Sequence, residues 1–276
     1  MRDVELRLLS KKEIIEVVSS SDVVVEILDI RVPESLRNRF LENTALRNRK
    51  RLILLLNKRD LVPRDVAREW VEYYRSIGLE AYAVSILMGG LRSFEKILRE
   101  YEGRGRIYFS VFGAPKVGKS SLINYFKKKR SAGVSKYPGT PGYTRHVQLY
   151  KISPDIYFID TPGVLSIEYD SLERMIRTAP PEKLSNPVKI ALELIRRIQA
   201  NTPGSLEKSL GVSSEDPEEI LREYALKRRW FYETDKEPNI EEASRDIIRR
   251  YLDGRIIYYT RPPKRDVDKI SGEEIV

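Results

Sequence analysis

The chain has no cysteine and a single histidine, His146. Disulfides and thiolate metal sites are therefore excluded, and no histidine-rich metal cluster can form. Long apolar runs are missing as well. No stretch approaches the length of a membrane span, and the opening MRDVELRLLSKKE lacks the apolar segment of a signal peptide. These absences point to a cytoplasmic protein with no membrane attachment. Acidic residues are short in one part of the chain only. Residues 1–165 hold 30 Lys and Arg against 19 Asp and Glu, whereas residues 166–276 hold 20 against 22. The net charge of +9 therefore belongs to the first part, in runs such as Arg47-Asn-Arg-Lys-Arg51 and Lys127-Lys-Lys-Arg130. A polyanion such as RNA is one reading of that excess, and solvated helix faces are the other. At 276 residues the chain is long enough for two domains.

What is present is organised around Gly113-Ala-Pro-Lys-Val-Gly118-Lys119-Ser120-Ser121, which fits the phosphate-loop pattern of glycine, four residues, then Gly-Lys-Ser. The context fits too, since 107–112 reads as a buried strand and 120–129 as a helix. A strand ends, small residues turn the chain, and in the loop from Pro115 to Ser121 the successive backbone N–H groups from Lys116 onward close around a phosphate at a helix N-terminus. Lys119 is expected to reach the β and γ phosphates and the Ser120 hydroxyl to ligate Mg²⁺. Lys116, Val117 and Gly118 complete the loop. The sequence predicts a nucleoside triphosphate site.

Apolar runs at 23–28, 51–56, 80–84 and 107–112 alternate with helical spacing at 11–19, 65–77 and 91–101, which predicts a mostly parallel sheet with helices on both faces. After a loop punctuated by proline and glycine at 137–144, a strand pair is expected at 147–152 and 156–159. Beyond Pro180-Pro181 the pattern becomes helical, at 188–199, 217–230 and 240–252. Two short β-like runs are expected near 255–260. Asn201-Thr-Pro-Gly204 reads as a plain turn.

Asn57-Lys-Arg-Asp60 closes the second strand in an N-K-x-D pattern. Guanine offers N1–H and N2–H₂ on one edge, and the Asp60 carboxylate can accept both. Adenine lacks that donor pair, so discrimination of roughly 10⁴-fold is attainable. The stem of Lys58 can lie over the purine, Asn57 can tie the base loop to the phosphate loop, and a backbone N–H at Ser85-Ile86 can reach guanine O6. Asp160-Thr-Pro-Gly163 ends a strand, so Asp160 can hold Mg²⁺ through water and the Gly163 N–H can meet the γ-phosphate. Thr144 is the candidate for a metal contact made only in the triphosphate state, with Thr140 second. Lys119, Thr144 and Gly163 form the candidate catalytic set.

The five motifs stand in the order G4-G5-G1-G2-G3, with the base motif ahead of the phosphate loop. With Glu26-Ile-Leu-Asp-Ile-Arg-Val-Pro33, Pro141-Gly-Tyr-Thr144 and the stretch ASRDIIRRYLDGRIIYY at 243–259, the chain resembles the circularly permuted GTPases of ribosome assembly, the YlqF/RbgA-like family. The resemblance implies an α/β fold: a circularly permuted Ras-like P-loop GTPase domain over residues 1–178, then a smaller, mainly helical, RNA-binding domain over 179–276. It implies a monomeric GTPase that binds GTP and GDP with Mg²⁺. It also implies action on the large ribosomal subunit or its precursor through rRNA, with turnover slow alone and stimulated by ribosomal particles. The alternative is a GTP-gated adaptor for protein partners with incidental hydrolysis. Two positions depart from the usual pattern. Lys116 stands where the family has asparagine and argues against a dependence on K⁺. Leu87 replaces a lysine, and Val164 occupies the place of the water-orienting glutamine of Ras-like enzymes, a hydrophobic substitution that the resembled family shares.

Overall fold

The structure, a computed structural model, describes residues 9–129, 148–163, 170–234 and 236–263. Helix α1 (Lys11–Ser19) opens with a capping box in which Ser10 and Glu13 satisfy each other's backbone N–H groups. Strand β1 (Val23–Asp29) follows, then α2 (Arg39–Arg47), β2 (Arg51–Asn57), α3 (Arg64–Ser76), β3 (Glu80–Ala83), α4 (Arg92–Arg99) and β4 (Ile107–Phe112). Helix α5 (Lys119–Lys129) leads on to β5 (Gln148–Lys151) and β6 (Ile156–Asp160). The six strands lie in the order β3-β2-β1-β4-β6-β5, and only β5 is antiparallel.

The central strands carry continuous apolar runs because helices cover both of their faces. All seven residues of β1 are buried. One of them is Glu26, whose Oε1 accepts the Asn38 N–H at 2.7 Å. Burial and the neighbouring Glu42 push its carboxyl well above the usual range. On α3, Val66, Ala67, Trp70 and Tyr74 form the buried stripe. In a parallel sheet all the loops that leave carboxyl ends gather on one edge. Asp29, Asn57 and Gly113 are brought together this way, with Asp29 beside Asn57 in register.

After the last strand the described elements are helical: α6 (Ser171–Thr178), then α7 (Pro187–Asn201), α8 (Ser205–Leu210), α9 (Pro217–Arg228) and α10 (Ile240–Leu252). Helix α7 is their axis, burying Ile190, Leu194, Ile195 and Ile198 against α9 and α10. Helix α6 was not evident in the sequence. Asp170 caps its N-terminus, accepting from Leu172 and Glu173, and it packs on α7 and α10.

Residues 255–260 are not strands, contrary to expectation. They do alternate, with Ile256 and Tyr258 buried and Ile257 exposed. Their backbone, however, does not build a ladder. Instead Thr260 N–H donates to the Arg31 carbonyl at 2.8 Å, and the Trp70 indole donates to the Thr260 carbonyl at 2.9 Å. The chain thus returns from the helices to the carboxyl edge of the sheet.

Candidate functional site

The loop between β4 and α5 depends on glycine at two points. Gly113 sits at φ +147°, and a Cβ there would lie 2.4 Å from the Ile27 carbonyl oxygen. Gly118 sits at φ +113°, and its Cβ would lie 2.4 Å from Asn57 Nδ2. The Ile27 carbonyl is backbone and cannot yield, and Asn57 could move aside only by giving up its hydrogen bonds to Val117 and Ile86, so both positions call for glycine. Lys119, at the start of α5, curls back to donate to the carbonyls of Gly113 at 2.8 Å and Ala114 at 2.9 Å. Burial brings its ammonium down to about 8, against the pull of the Asp160 carboxylate.

Beside the loop is a cleft of about 420 Å³ whose wall includes Lys119, Ser120, Asp160, Thr161 and Gly163. Burial raises the Asp160 carboxyl above its usual range, opposed by Lys119 and Lys127. Thr161 donates its hydroxyl to the Val111 carbonyl at 2.7 Å, fixing the turn after β6. Gly163 lies against Pro115. Gln148, paired in register with Asp160, also faces this cleft and was not singled out in the sequence. A second cleft, of about 430 Å³ around Thr202 and Glu215, holds none of the expected site residues.

Asn57 joins three loops. Its Nδ2 donates to the Val117 carbonyl at 2.7 Å, and its Oδ1 accepts the Ile86 N–H at 3.1 Å. A guanine O6 would have to share that Ile86 donor. Asp60 is exposed and accepts the Ser85 hydroxyl. Lys58 adopts the left-handed conformation at φ +65° and places its ammonium 2.9 Å from Asp29 Oδ2. Burial and the nearby Arg31 and Arg177 lower its pKa, while Asp29 raises it.

Asp29 is the charged centre that sequence reasoning missed. It is fully buried. Arg31 reaches its Oδ1 through Nε at 3.0 Å and its Oδ2 through Nη2 at 2.8 Å, and Arg177 Nη2 joins Oδ2 at 3.1 Å. Burial alone would push this carboxyl up, yet Arg31, Lys58 and Arg177 together hold it well below the usual range. The network continues into the helices. Arg31 Nη1 donates to the Tyr251 carbonyl at 2.6 Å, and both Arg177 Nε and the Tyr251 hydroxyl end on Glu173. The signal that could have found it is Asp29-Ile-Arg31, an ion pair directly after an apolar strand on the edge where sites form.

Lys116 is exposed, yet its ammonium is held by backbone rather than left free. It sits at φ +63° and donates from Nζ to the carbonyls of Ala179 at 3.2 Å and Ile176 at 3.3 Å. Thr140, Thr144, Arg145, His146 and Val164 lie outside the described residues. Among the described residues no helix is long and apolar enough to cross a membrane.

A family model described as RsgA GTPase matches residues 3–170. The chain is 30% identical over 254 residues to an uncharacterized GTP-binding protein of Methanocaldococcus jannaschii, a match covering 90% of this chain and 66% of that one. It is also 30% identical over 280 residues to nucleolar GTP-binding protein 2 of Candida glabrata, covering 95% and 55%. Among solved structures, GNP-bound YlqF of Thermotoga maritima superposes with a TM-score of 0.63 at 22% identity, covering 91% of this chain and 97% of that one. That likeness shows the circularly permuted GTPase fold. The chain spans about half to two thirds of the length of the curated relatives it matches.

Proposed function

The chain belongs to the RsgA GTPase family, and from that premise we propose that it is a GTP-binding and GTP-hydrolysing switch in ribosome biogenesis. In this reading it acts on the large subunit or its precursor through contact with rRNA. The observation that carries the nucleotide part is the double hydrogen bond of Asn57, which holds the base loop, the phosphate loop and the Ser85-Ile86 turn as one unit. With the loops fixed together, a ligand must present a purine edge to Asp60 and phosphates to Lys119 at a set separation, as a guanine nucleotide does. Pro115 to Ser121 and Gly163 take the phosphates. Asn57, Lys58, Asp60, Ser85 and Ile86 take the base. Ser120 and Asp160 face the same cleft with hard oxygen donors, a set that suits Mg²⁺, and Thr144 is the third proposed donor. Bound there, Mg²⁺ would neutralise phosphate charge.

Support for an RNA partner comes from the basic excess of residues 1–165 and from the nucleolar name of the Candida glabrata relative. Not every cation in that excess is available, since Arg51 is forked onto Glu80 at 2.8 and 2.9 Å. We place the division between GTPase domain and RNA-binding helices at 178/179. The test is co-sedimentation of the purified chain with large subunits, with and without a non-hydrolysable GTP analogue. Binding that requires the analogue and falls steeply with salt supports the proposal. Binding to ribosomal proteins but not to rRNA favours the adaptor, and no binding in either state overturns the ribosomal assignment.

A further inference from the structure

The proposed function leaves the side chain of Lys116 without a task. A non-glycine residue at positive φ is strained, so surrounding contacts must hold Lys116, at φ +63°, in place. Those contacts are not with the loop itself. The Lys116 ammonium bridges two carbonyls, Ile176 in the last turn of α6 and Ala179 just after it. The last carbonyls of a helix have no partner within it and form the negative end of its dipole, so a cation there stabilises the turn.

Helix α6 is also held from the opposite side. Its Arg177 reaches Asp29 at the end of β1, and its Glu173 takes the Tyr251 hydroxyl of α10. One eight-residue helix therefore touches the phosphate loop, the carboxyl edge of the sheet and the C-terminal helices. We propose that Lys116 is a positioning residue that ties the phosphate loop to the end of α6 and so carries the state of that loop to the C-terminal helices.

Two further observations fit. Arg177 Nη1 is buried without an acceptor among the described residues. A buried donor left unpaired is costly, so a shift of α6 that gave it an acceptor would be favoured. The charge around Lys116 also comes from beyond the loop, with Glu182 and Asp253 acting to raise its pKa while burial and Arg177 lower it. Closure of the loop around phosphates moves the Lys116 backbone, and the tether passes that movement to α6. The coupling requires only that the tether be better made in one nucleotide state than in the other.

The inference rests on reading Gly113 to Ser121 as a nucleotide phosphate loop, so nucleotide binding by the wild-type chain is measured first. Amide hydrogen exchange is then followed in peptides spanning 171–184. It is measured for the full chain, free and saturated with GDP or a non-hydrolysable GTP analogue, in wild type, Lys116→Met and Lys116→Arg. In wild type we expect exchange here to differ between nucleotide states by about threefold or more. Lys116→Met should speed exchange about three- to fivefold in every state and erase the difference, and Lys116→Arg should restore it. A difference that survives in Lys116→Met, one that is not restored in Lys116→Arg, or none in wild type overturns the tether while leaving the nucleotide site intact. Failure of wild type to bind nucleotide overturns the site reading, and the tether with it.

Discussion

Arg177 reaches Asp29 across 148 residues of chain, Nη2 to Oδ2 at 3.1 Å, with both side chains shut off from water. Asp29 is thereby the counter-ion of three cations, since Arg31 and Lys58 share it. Removing one member of a buried charge set leaves the others uncompensated, at a cost of about 3–5 kcal/mol. Asp29→Ala strands three cations, whereas Arg177→Met leaves Asp29 with two partners. Urea unfolding should show Asp29→Ala as the more destabilising by at least about 1 kcal/mol. The reverse order would mean that Glu173, and not Asp29, is the partner that matters to Arg177.

Guanine selectivity should rest on Asp60. Its side chain is exposed and its hydrogen bond is to the Ser85 hydroxyl, so its loss removes no core contact. Asp60→Ala should abolish measurable GTP binding while thermal unfolding stays within about 0.5 kcal/mol of wild type. An unchanged affinity for a fluorescent GTP analogue would remove Asp60 from the base site.

The parts of this site that spacing encodes were legible in the sequence, and the parts that fold geometry encodes were not. Gly113 and Gly118 announce a backbone path by their separation alone. The runs at β1, β2 and β4 announce burial on both faces because they lack alternation. Asp29-Ile-Arg31 showed only a pair of charges at the end of an apolar run, with nothing of what it joins, and Arg177 gave no sign at all. A charged residue in a single sequence reads as solvated, and the partner that makes Arg177 buriable is distant in the chain. Residues 255–260 mislead in the opposite way. Alternation reports which face is covered, so it found Ile256 and Tyr258 in the core. It does not report what partners the backbone, which at Thr260 is the Arg31 carbonyl for the N–H and the Trp70 indole for the carbonyl.

Lys119 should give nucleotide binding a pH dependence. With its ammonium at about 8 in the free protein, the charged form that phosphates favour is lost as pH rises through that value. Affinity for GTP should change little from about pH 6.5 to 7.5 and then fall, by about fivefold between about pH 8 and 9 and more steeply above. Binding in that window should take up a proton, seen by calorimetry in buffers of different ionisation enthalpy. Stability runs the other way. The folded pKa lies below the ordinary lysine value, so the charged form opposes folding at low pH. The free protein gains stability from this group as pH rises from about 8 towards 10.5. Affinity and stability that fall together above pH 8 would assign the effect to another group.

Turnover by the isolated chain should be slow and indifferent to the monovalent cation. Val164 cannot orient water, and GTPases without a completed site hydrolyse at roughly 10⁻⁴ to 10⁻³ per second. Lys116 offers an ammonium already bound to carbonyls, and no side-chain oxygen with which to hold K⁺. Single-turnover rates in K⁺ and Na⁺ should agree within about twofold. A large acceleration specific to K⁺ would require a cation ligand elsewhere in the loop.

The C-terminal helices should not be separable from the sheet without loss. Tyr251 supplies the carbonyl that takes Arg31 Nη1, the ring 4.5 Å beneath its guanidinium and the hydroxyl on Glu173. Thr260 supplies the acceptor for the Trp70 indole and a backbone donor to Arg31. Gly254 approaches Leu61, directly after the base motif, so closely that a Cβ there would lie 2.6 Å from a leucine methyl. A chain ending at residue 179 loses all of these and exposes Leu172 and Ile176, which are buried in the intact protein. Each stranded buried donor costs about 1–3 kcal/mol, and each kcal/mol lowers the melting temperature of a chain this size by about 2–4 °C. The truncated chain should therefore melt at least about 10 °C lower than the full one, or fail to accumulate in soluble form. A chain ending at residue 254 loses the Thr260 contacts and the burial of Ile256 and Tyr258 but keeps Tyr251, and should fall in between. Thermal unfolding of the three chains, each with and without GDP, decides the matter. Equal melting temperatures, with equal shifts on adding GDP, would mean that the two parts fold independently and that the Asp29 network does not couple them.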